Sequence, residues 1–382
     1  MIKILQVIGG MGSGGAETLI MNLYRNIDRS KIQFDFVVHT AKPQFYDDKI
    51  KKLGGQIFSV PRYRIYNVIS YKKWWERFFV DHPEYKVVHG HIGSTATIYL
   101  GIAKKYGCFT IAHSHNTKNE KLSLRDIVWN VHSYPTRYKA DYFFACSFPA
   151  AIDRFGKKIA NSKRCRVFNN AIDVERFKYS PEKRHEIREL YKIGERDFVI
   201  GHVGRFSKQK NHEFLIEIFM QVYRIETDTK LLLVGTGELE DDIKKKCKKL
   251  NISDSVIFAG TTDHIEKFYS AMDIFCFPSL WEGFGNVTIE AQTNGLFCVV
   301  SDKLPDHADI SAGLFEKLSP LKSADVWAER ILSRRDHKRR TDIADHTRRA
   351  GFDISKEAMR LSCFYNSVYE RYKNRMQKIE QR

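Results

Sequence analysis

Short apolar runs rich in β-branched and aromatic residues alternate along the chain with segments whose apolar positions recur every three to four residues. In the first half the runs fall at 3–8, 33–39, 56–59, 86–89, 109–113, 142–146 and 166–168. In the second half they fall at 198–203, 230–234, 256–259, 274–277 and 296–301. Helical periods between them cover 16–27, 96–106, 212–223, 239–250, 265–271 and 287–294. Near-continuous apolar strands are buried on both faces, and their alternation with helices builds parallel sheets covered on both sides. The expected fold class is therefore α/β, with strands enough in each half for its own doubly wound sheet. The polar stretch 173–197, interrupted by Pro181, reads as the connection between the halves. Beyond Leu318 only helical periods remain, at 322–333, 337–350 and 355–377.

Composition changes this picture little but narrows the setting. With 43% hydrophobic and 13% aromatic residues, the 382-residue chain can bury full cores, which excludes a disordered protein. Its apolar runs, such as 143–146 and 231–234, are far below the roughly 20 residues of a membrane span. The first residues read as a strand that begins at once, without the apolar region of a signal peptide. Seven cysteines, none in a C-x-x-C, point to reduced thiols in a reducing compartment. Charge matters more: 63 Lys+Arg against 46 Asp+Glu give +17. Such an excess implies an acidic partner, whether nucleic acid, an anionic membrane or a phosphorylated small molecule.

Four clusters carry candidate chemistry. A glycine-rich turn, Gly9-Gly10-Met11-Gly12-Ser13-Gly14-Gly15, joins the first strand to the first helix. Such a turn lets backbone N–H groups and a helix N-terminus approach an anion or a sugar. Gly10, Gly12 and Gly15 formally satisfy the dinucleotide pattern, but that site also wants an acid at the end of the second strand. Here the strand ends Val38-His39-Thr40, with Asp35 inside it. The second cluster is a pair of H-x-H sequences at strand ends, His89-Gly90-His91 and His113-Ser114-His115-Asn116. The two histidines of each pair are expected to point to opposite faces, which argues against zinc, and at least one of the four is expected to reach substrate. Ser147 has the same strand-end placement. The third cluster, Gly204-Arg205 followed by Lys210, offers a forked and a point cation for phosphate oxygens. Gly235 marks a second glycine turn at a strand end.

The fourth and most specific cluster is Pro278-Ser279-Leu280-Trp281-Glu282-Gly283-Phe284-Gly285-Asn286, with Glu290 seven residues beyond Gly283. Glu282 stands in the loop after a strand, and the Gly-Phe-Gly-Asn turn opens a helix whose N–H groups form an anion pocket. Glu290, one turn inside, can accept from a diol such as ribose. No D-x-D occurs in the chain, so a leaving diphosphate would be stabilised by Arg205, Lys210 and helix N-termini without a metal ion.

On these residues the chain resembles the family 4 retaining glycosyltransferases of GT-B architecture. The glutamate pair Glu282 and Glu290 is the most specific part. Gly14-Gly15-Ala16-Glu17, Asn170-Ala171-Ile172-Asp173 with Phe177, and Gly204-Arg205 with Lys210 support it. Residues 21–25 and 111–117 resemble the branch that builds bacterial capsule or exopolysaccharide. The resemblance implies two Rossmann-like domains facing a cleft. Residues 1–178 would bind the acceptor, 179–360 the nucleotide-sugar, and 361–382 would form a helix returning to the first domain. It implies that Arg205 and Lys210 bind the diphosphate and Glu290 the ribose. Glu282 and the Phe284, Gly285 and Asn286 backbone would contact sugar and phosphate, with Gly14, Gly15 and Gly235 completing the donor site. His113 would be the cleft histidine near the transferred sugar, with His115 its competitor. His91, His115, Asn116 and Ser147 are candidates on the acceptor side. No cofactor or metal is expected. Transfer would retain the anomeric configuration by a same-face route in which the leaving diphosphate takes the acceptor proton. The donor would be a UDP-sugar and the acceptor a polyprenyl-diphosphate-linked saccharide.

The remaining basic residues cluster at 49–77: Lys49, Lys51, Lys52, Arg62, Arg64, Lys72, Lys73 and Arg77 interleave with seven aromatics between Tyr63 and Phe79. Bases among aromatics suit an anionic membrane surface. The expected location is therefore cytoplasmic, attached peripherally to the inner face of the cell membrane. Three other readings remain: a nucleic-acid-binding protein, which lacks any recognised reading module; a nicotinamide-dependent oxidoreductase, which lacks the acidic partner; and a sugar-nucleotide epimerase of similar architecture. Nucleic acid is the least expected partner.

Overall fold

The structure is a computed structural model that describes residues 1–12, 14–115, 131, 133–336, 339 and 343–380, with side chains as far as 374. The chain forms two compact units. The first comprises Met1–Ala171 and Ile354–Arg382, the second Ile172–Asp353.

The first unit holds a seven-stranded sheet: β1 (Ile2–Ile8), β2 (Ile32–Val38), β3 (Ile57–Ser59), β4 (Val87–Gly90), β5 (Phe109–Ser114), β6 (Tyr142–Ala145) and β7 (Cys165–Val167), in the order β3-β2-β1-β4-β5-β6-β7. All pairs are parallel, with Ile4 opposite both Phe34 and Val87. Every residue of β2 is buried, as a central parallel strand requires. Asp35 is buried with it, and accepts hydrogen bonds from Tyr85 Oη (2.8 Å) and the Gln56 amide (2.8 Å). It is a structural acid, which removes the remaining candidate for a dinucleotide ribose.

The helix Gly15–Asn26 lays Leu19, Ile20 and Leu23 onto the sheet, beside the long helix Ile354–Glu380. That helix buries Ala358, Leu361, Tyr365 and Val368, the three-to-four spacing of one helical face. Each buried aliphatic side chain contributes about 1.5–3 kcal/mol, so the returning helix is integral to the first core.

The second unit has six parallel strands: β8 (Phe198–Val203), β9 (Thr229–Val234), β10 (Val256–Phe258), β11 (Ile274–Phe277), β12 (Phe297–Ser301) and β13 (Phe315–Leu318). Their order is β10-β9-β8-β11-β12-β13. In both sheets the order reverses beside the first strand, between β1 and β4 and between β8 and β11. Ligands of doubly wound sheets bind at this switch point, past the carboxyl ends of the strands.

Three sequence expectations are corrected. The units divide at 171/172 and 353/354, not at 178/179 and 360/361. The helix Val174–Phe177 buries Val174 and Phe177 in the second unit, and Asn294 Nδ2 donates to the Phe177 carbonyl (2.9 Å). Strand β13 is an addition; it lies at the sheet edge and is only partly buried, so its apolar pattern is weak. Of the aromatics at 63–79, Tyr63, Tyr71, Trp75, Phe78 and Phe79 are core residues, because the helix Val68–Asp81 turns one face inward.

Candidate functional site

In the second unit the loop after β8 and the loop after β11 are fastened together. The Leu280 amide donates to the Gln209 carbonyl (2.9 Å), and Gln209 Nε2 donates to the Trp281 carbonyl (2.8 Å). Asn211 takes a left-handed conformation (φ 57°), which asparagine tolerates. Its Nδ2 donates to the Pro278 carbonyl (3.2 Å). This fastening brings Lys210 Nζ to 2.5 Å from Glu282 Oε1, with side chains only 16% and 7% exposed. The ammonium also lies 4.6 Å from the centre of the Phe277 ring. Arg205 differs. It is 74% exposed and pairs with Glu238 at 3.2 Å, an exposed contact that costs little to exchange for a phosphate.

The glycine turns fit closely. A Cβ on Gly235, whose φ is 140°, would fall 2.2 Å from the Gly204 carbonyl oxygen. The turn after β9 can therefore run against Gly204 only without a side chain. Gly285 (φ 84°) precedes the helix Asn286–Thr293, and its carbonyl accepts from Thr288 Oγ1 (2.7 Å). Phe284 turns inward, 4.6 Å from the His307 ring, so its backbone rather than its ring is offered to a ligand. Glu290 is held by Tyr269, whose Oη donates to Glu290 Oε2 (2.8 Å). Burial pushes the Glu290 carboxyl up to about 7, against the lowering effect of the Tyr269 hydrogen bond. Glu282, Gly285, Asn286 and Glu290 thus share the loop and helix after β11, and Lys210 and Arg205 meet them from the loop after β8, with Gly235 on the turn after β9.

The first unit gathers the histidines. β4 ends at Gly90 and β5 at Ser114, and His91 and His115 follow directly, with the His91 amide still bonded to the Val7 carbonyl (2.8 Å). His89 stacks on His91 at 4.4 Å and His113 on His115 at 4.1 Å. The expectation that each pair points to opposite faces is corrected: successive residues alternate along a strand, so i and i+2 line one face. His89 Nε2 lies 3.2 Å from His113 Nδ1, and His91 Nδ1 lies 2.7 Å from His115 Nε2. Nitrogens of His89, His91 and His113 come within 4.8 Å of one another. The His89 and His113 rings are stacked, 5.2 Å between centres and 14° from parallel. Burial, reinforced by neighbouring imidazoles, lowers His113 well below the usual histidine range, and burial takes His115 down to about 4. Both are neutral at pH 7. His113 Nε2 is buried without a hydrogen-bond partner among the described residues.

Gly14 caps the helix Gly15–Asn26, and a Cβ there would fall 2.5 Å from Glu17 Oε2. Ser147 caps the helix Phe148–Phe155, its Oγ accepting from the Ala150 amide (3.2 Å). That bond accounts for its strand-end position. Asn116 lies outside the described residues.

Two residues that shape these sites escape motif reasoning. Tyr269 orients Glu290. Tyr365, from the returning helix, places Oη 2.6 Å from His89 Nδ1, so Tyr365, His89 and His113 form one hydrogen-bonded line. The available signal was a tyrosine in an aliphatic stripe, because a buried phenol needs a partner. Tyr365→Phe should lower kcat about tenfold, the loss of one hydrogen bond, and leave the donor KM unchanged. An imidazole ¹⁵N spectrum should show a changed His113 tautomer ratio. An unaltered spectrum would remove Tyr365 from this positioning role.

Residues 13–176 match the family model described as Glycosyltransferase Family 4, and residues 183–333 match Glycosyl transferases group 1. The putative glycosyltransferase EpsF of Bacillus subtilis (strain 168) is 31% identical over 381 residues, covering 98% of each chain. The N-acetylgalactosamine-N,N'-diacetylbacillosaminyl-diphospho-undecaprenol 4-alpha-N-acetylgalactosaminyltransferase of Campylobacter jejuni is 33% identical over 153 residues, 40% of this chain and 38% of the relative. A crystal structure of Anabaena Alr3699/HepE in complex with UDP and glucose superposes with a TM-score of 0.78 over 96% of this chain and all of that one, at 17% identity. With two parallel-sheet units of GT-B type and a full-length relative of this kind, the chain belongs to the family 4 glycosyltransferases.

Proposed function

We propose that the protein is a retaining transferase that moves a sugar from a UDP-sugar to a polyprenyl-diphosphate-linked saccharide in the assembly of capsule or exopolysaccharide. The observation that carries this reading is the buried Lys210–Glu282 pair, 2.5 Å apart, on the loop that leads to the Asn286 helix and Glu290. A bound nucleotide-sugar would place its diphosphate at Lys210 and Arg205 and its ribose at Glu290. The bond from the anomeric carbon to the diphosphate oxygen breaks as charge develops on that oxygen. Lys210, Arg205 and the N–H groups at Gly285 and Asn286 meet that charge, the form of stabilisation that contributes most to many such reactions. The acceptor oxygen bonds to the same face of the anomeric carbon, and its proton passes to the departing diphosphate. No carboxylate is assigned as nucleophile, and no metal is assigned a role. Neutral His113 has Nε2 free to hydrogen-bond the transferred sugar.

The Campylobacter relative is named for a lipid-diphosphate-linked acceptor and the Anabaena structure holds UDP and glucose; both support the substrate classes. A panel of nucleotide-sugars, each tested for binding and slow hydrolysis, then for transfer to a polyprenyl-diphosphate saccharide, decides the reading. Transfer from one UDP-sugar with retained configuration is expected. Inverted product, or isomerised sugar formed without acceptor, would overturn it.

Attachment to an anionic membrane surface is part of the same proposal. Among the described residues no helix is long and apolar enough to cross a membrane. The surface at the start of the Val68–Asp81 helix exposes Ile65 (68%), Tyr66 (87%) and Ile69 (70%) beside exposed Arg62, Arg64, Lys72 and Lys73. Each base near anionic lipid contributes about 1 kcal/mol. The protein should sediment with phosphatidylglycerol vesicles at low salt, and Lys72→Glu/Lys73→Glu should release it. Equal sedimentation with neutral vesicles would reject the electrostatic part.

A further inference from the structure

Two arginines of the first unit have no carboxylate partner among the described residues. Arg154 stands in the last turn of the helix Phe148–Phe155 and is half-buried. Its guanidinium lies against the backbone in the loop past β4: a Cβ on Gly93 would fall 1.7 Å from Arg154 Nη2. Arg137, in the short helix Thr136–Lys139, sits beside it. Its Nη2 is 3.4 Å from the Arg154 carbonyl oxygen, and its guanidinium is 4.3 Å from the centre of the Tyr134 ring. Among the described residues neither arginine has a carboxylate partner, and Arg154 donates no side-chain hydrogen bond. Arg137 Nε is buried and unpartnered.

A charge withdrawn from water without a counter-charge is costly, and two like charges side by side add to the cost. The helix C-terminus favours a cation, and the Arg154 carbonyl takes Arg137 Nη2 at 3.4 Å, while the Arg154 fork itself finds no hydrogen-bond acceptor among the described residues. A guanidinium fork matches two phosphate oxygens. Gly93, without a Cβ, lets the Arg154 guanidinium lie directly against it, and it lies two residues past His91 at the carboxyl end of β4, near the switch point where such sheets take ligands.

We propose that Arg137 and Arg154, admitted by Gly93, form a binding site for a phosphate or diphosphate group on the first unit. Its natural ligand is the diphosphate of the lipid-linked acceptor. That identification rests on the transferase reading above, whereas anion binding itself does not.

Calorimetric titration of the full-length protein with inorganic pyrophosphate should find two sites. Lys210→Met should lose one, and Arg137→Gln/Arg154→Gln should lose the other. Because the arginine variant relieves two unbalanced charges and gives up only one 3.4 Å hydrogen bond and one ring contact, it should melt no lower than the parent. Gly93→Ala, outside the pair, should weaken the same site at least tenfold by displacing the Arg154 guanidinium. Two intact pyrophosphate sites in the arginine variant would overturn the proposal, as would a lowered melting temperature with unchanged stoichiometry. In transfer assays the arginine variant should raise the acceptor KM about tenfold at constant donor KM. An unchanged acceptor KM with lost sedimentation on anionic vesicles would overturn the acceptor assignment in favour of a phospholipid headgroup. If no acceptor supports transfer at all, the transferase reading fails, and the pyrophosphate stoichiometry still decides the anion site.

Discussion

Lys210→Met should reduce kcat by about 10²–10³-fold, the range for losing one group that meets developing charge in a transition state. The same change leaves Glu282, 7% exposed and formerly 2.5 Å from the ammonium, as a buried carboxylate without its partner. Removing one half of such a pair costs about 3–5 kcal/mol of stability, so lost activity alone would be ambiguous. The double variant Lys210→Met/Glu282→Gln separates the two effects. It should recover most of the melting temperature and none of the turnover. Arg205→Gln provides the complementary case. Its contact with Glu238 is exposed, so stability should be unchanged within about 1 kcal/mol while turnover falls. Near-parental turnover in both the Lys210 and the Arg205 variants would end their assignment to the diphosphate.

Glu290→Gln should change two pH dependences at once. Burial raises the folded-state carboxyl from its ordinary 4.5 to about 7. Between these values the folded protein binds more protons than the unfolded chain, so stability falls as pH rises. The penalty is absent below about 4.5, grows through the window and is complete above about 7. A shift of this size corresponds to about 3 kcal/mol. Glutamine can still accept from Tyr269, and it carries no charge to desolvate. The variant should therefore be more stable than the parent at pH 8, by up to that amount, and equal to it near pH 4. Donor affinity should move the other way. The ionised carboxylate is the stronger acceptor for a diol, so the parent's donor KM should fall as pH rises through 7. The variant's should be higher by about tenfold or more and flat. Urea unfolding and donor KM at pH 5, 7 and 8 check both, and a variant that keeps the parent's pH slopes would refute the assignment.

The two loops of the second unit that come together at Lys210 and Glu282 were legible in the sequence because each carries its own signal. A glycine turn with Arg205 and Lys210 and a glycine turn between Glu282 and Glu290 each announce close backbone approach. What joins them was not legible. The bonds from Gln209 and Asn211 to the backbone of the Pro278–Trp281 loop depend on β8 lying next to β11, a matter of strand order. The histidine cluster follows the two-residue period itself, which puts i and i+2 on one face. What the sequence does not carry is that β4 and β5 are neighbours, which brings the two pairs together. The aromatics at 63–79 show the converse. Read beside their basic neighbours they suggest a surface, but Tyr71, Trp75 and Phe78 share one helical face, which fixes them as core. Strand β13 escaped because Glu316 and Lys317 are tolerable only at an exposed sheet edge.

The first unit is interrupted in sequence by the whole of the second, residues 172–353. Its own last helix is therefore synthesised only after that interval, which takes roughly 10–40 s at common elongation rates. Until then Leu19, Ile20 and Leu23 lack the helix that packs beside them, and His89 lacks the Tyr365 hydroxyl. The second unit, continuous in sequence, is complete first. A ribosome that stalls or terminates within the last helix releases a chain with an intact second unit and an untethered histidine line. Under the proposed function such a product would hold nucleotide-sugar without the geometry to use it. The returning helix thus makes activity conditional on completed synthesis, and places the aggregation risk of this protein in the waiting first unit.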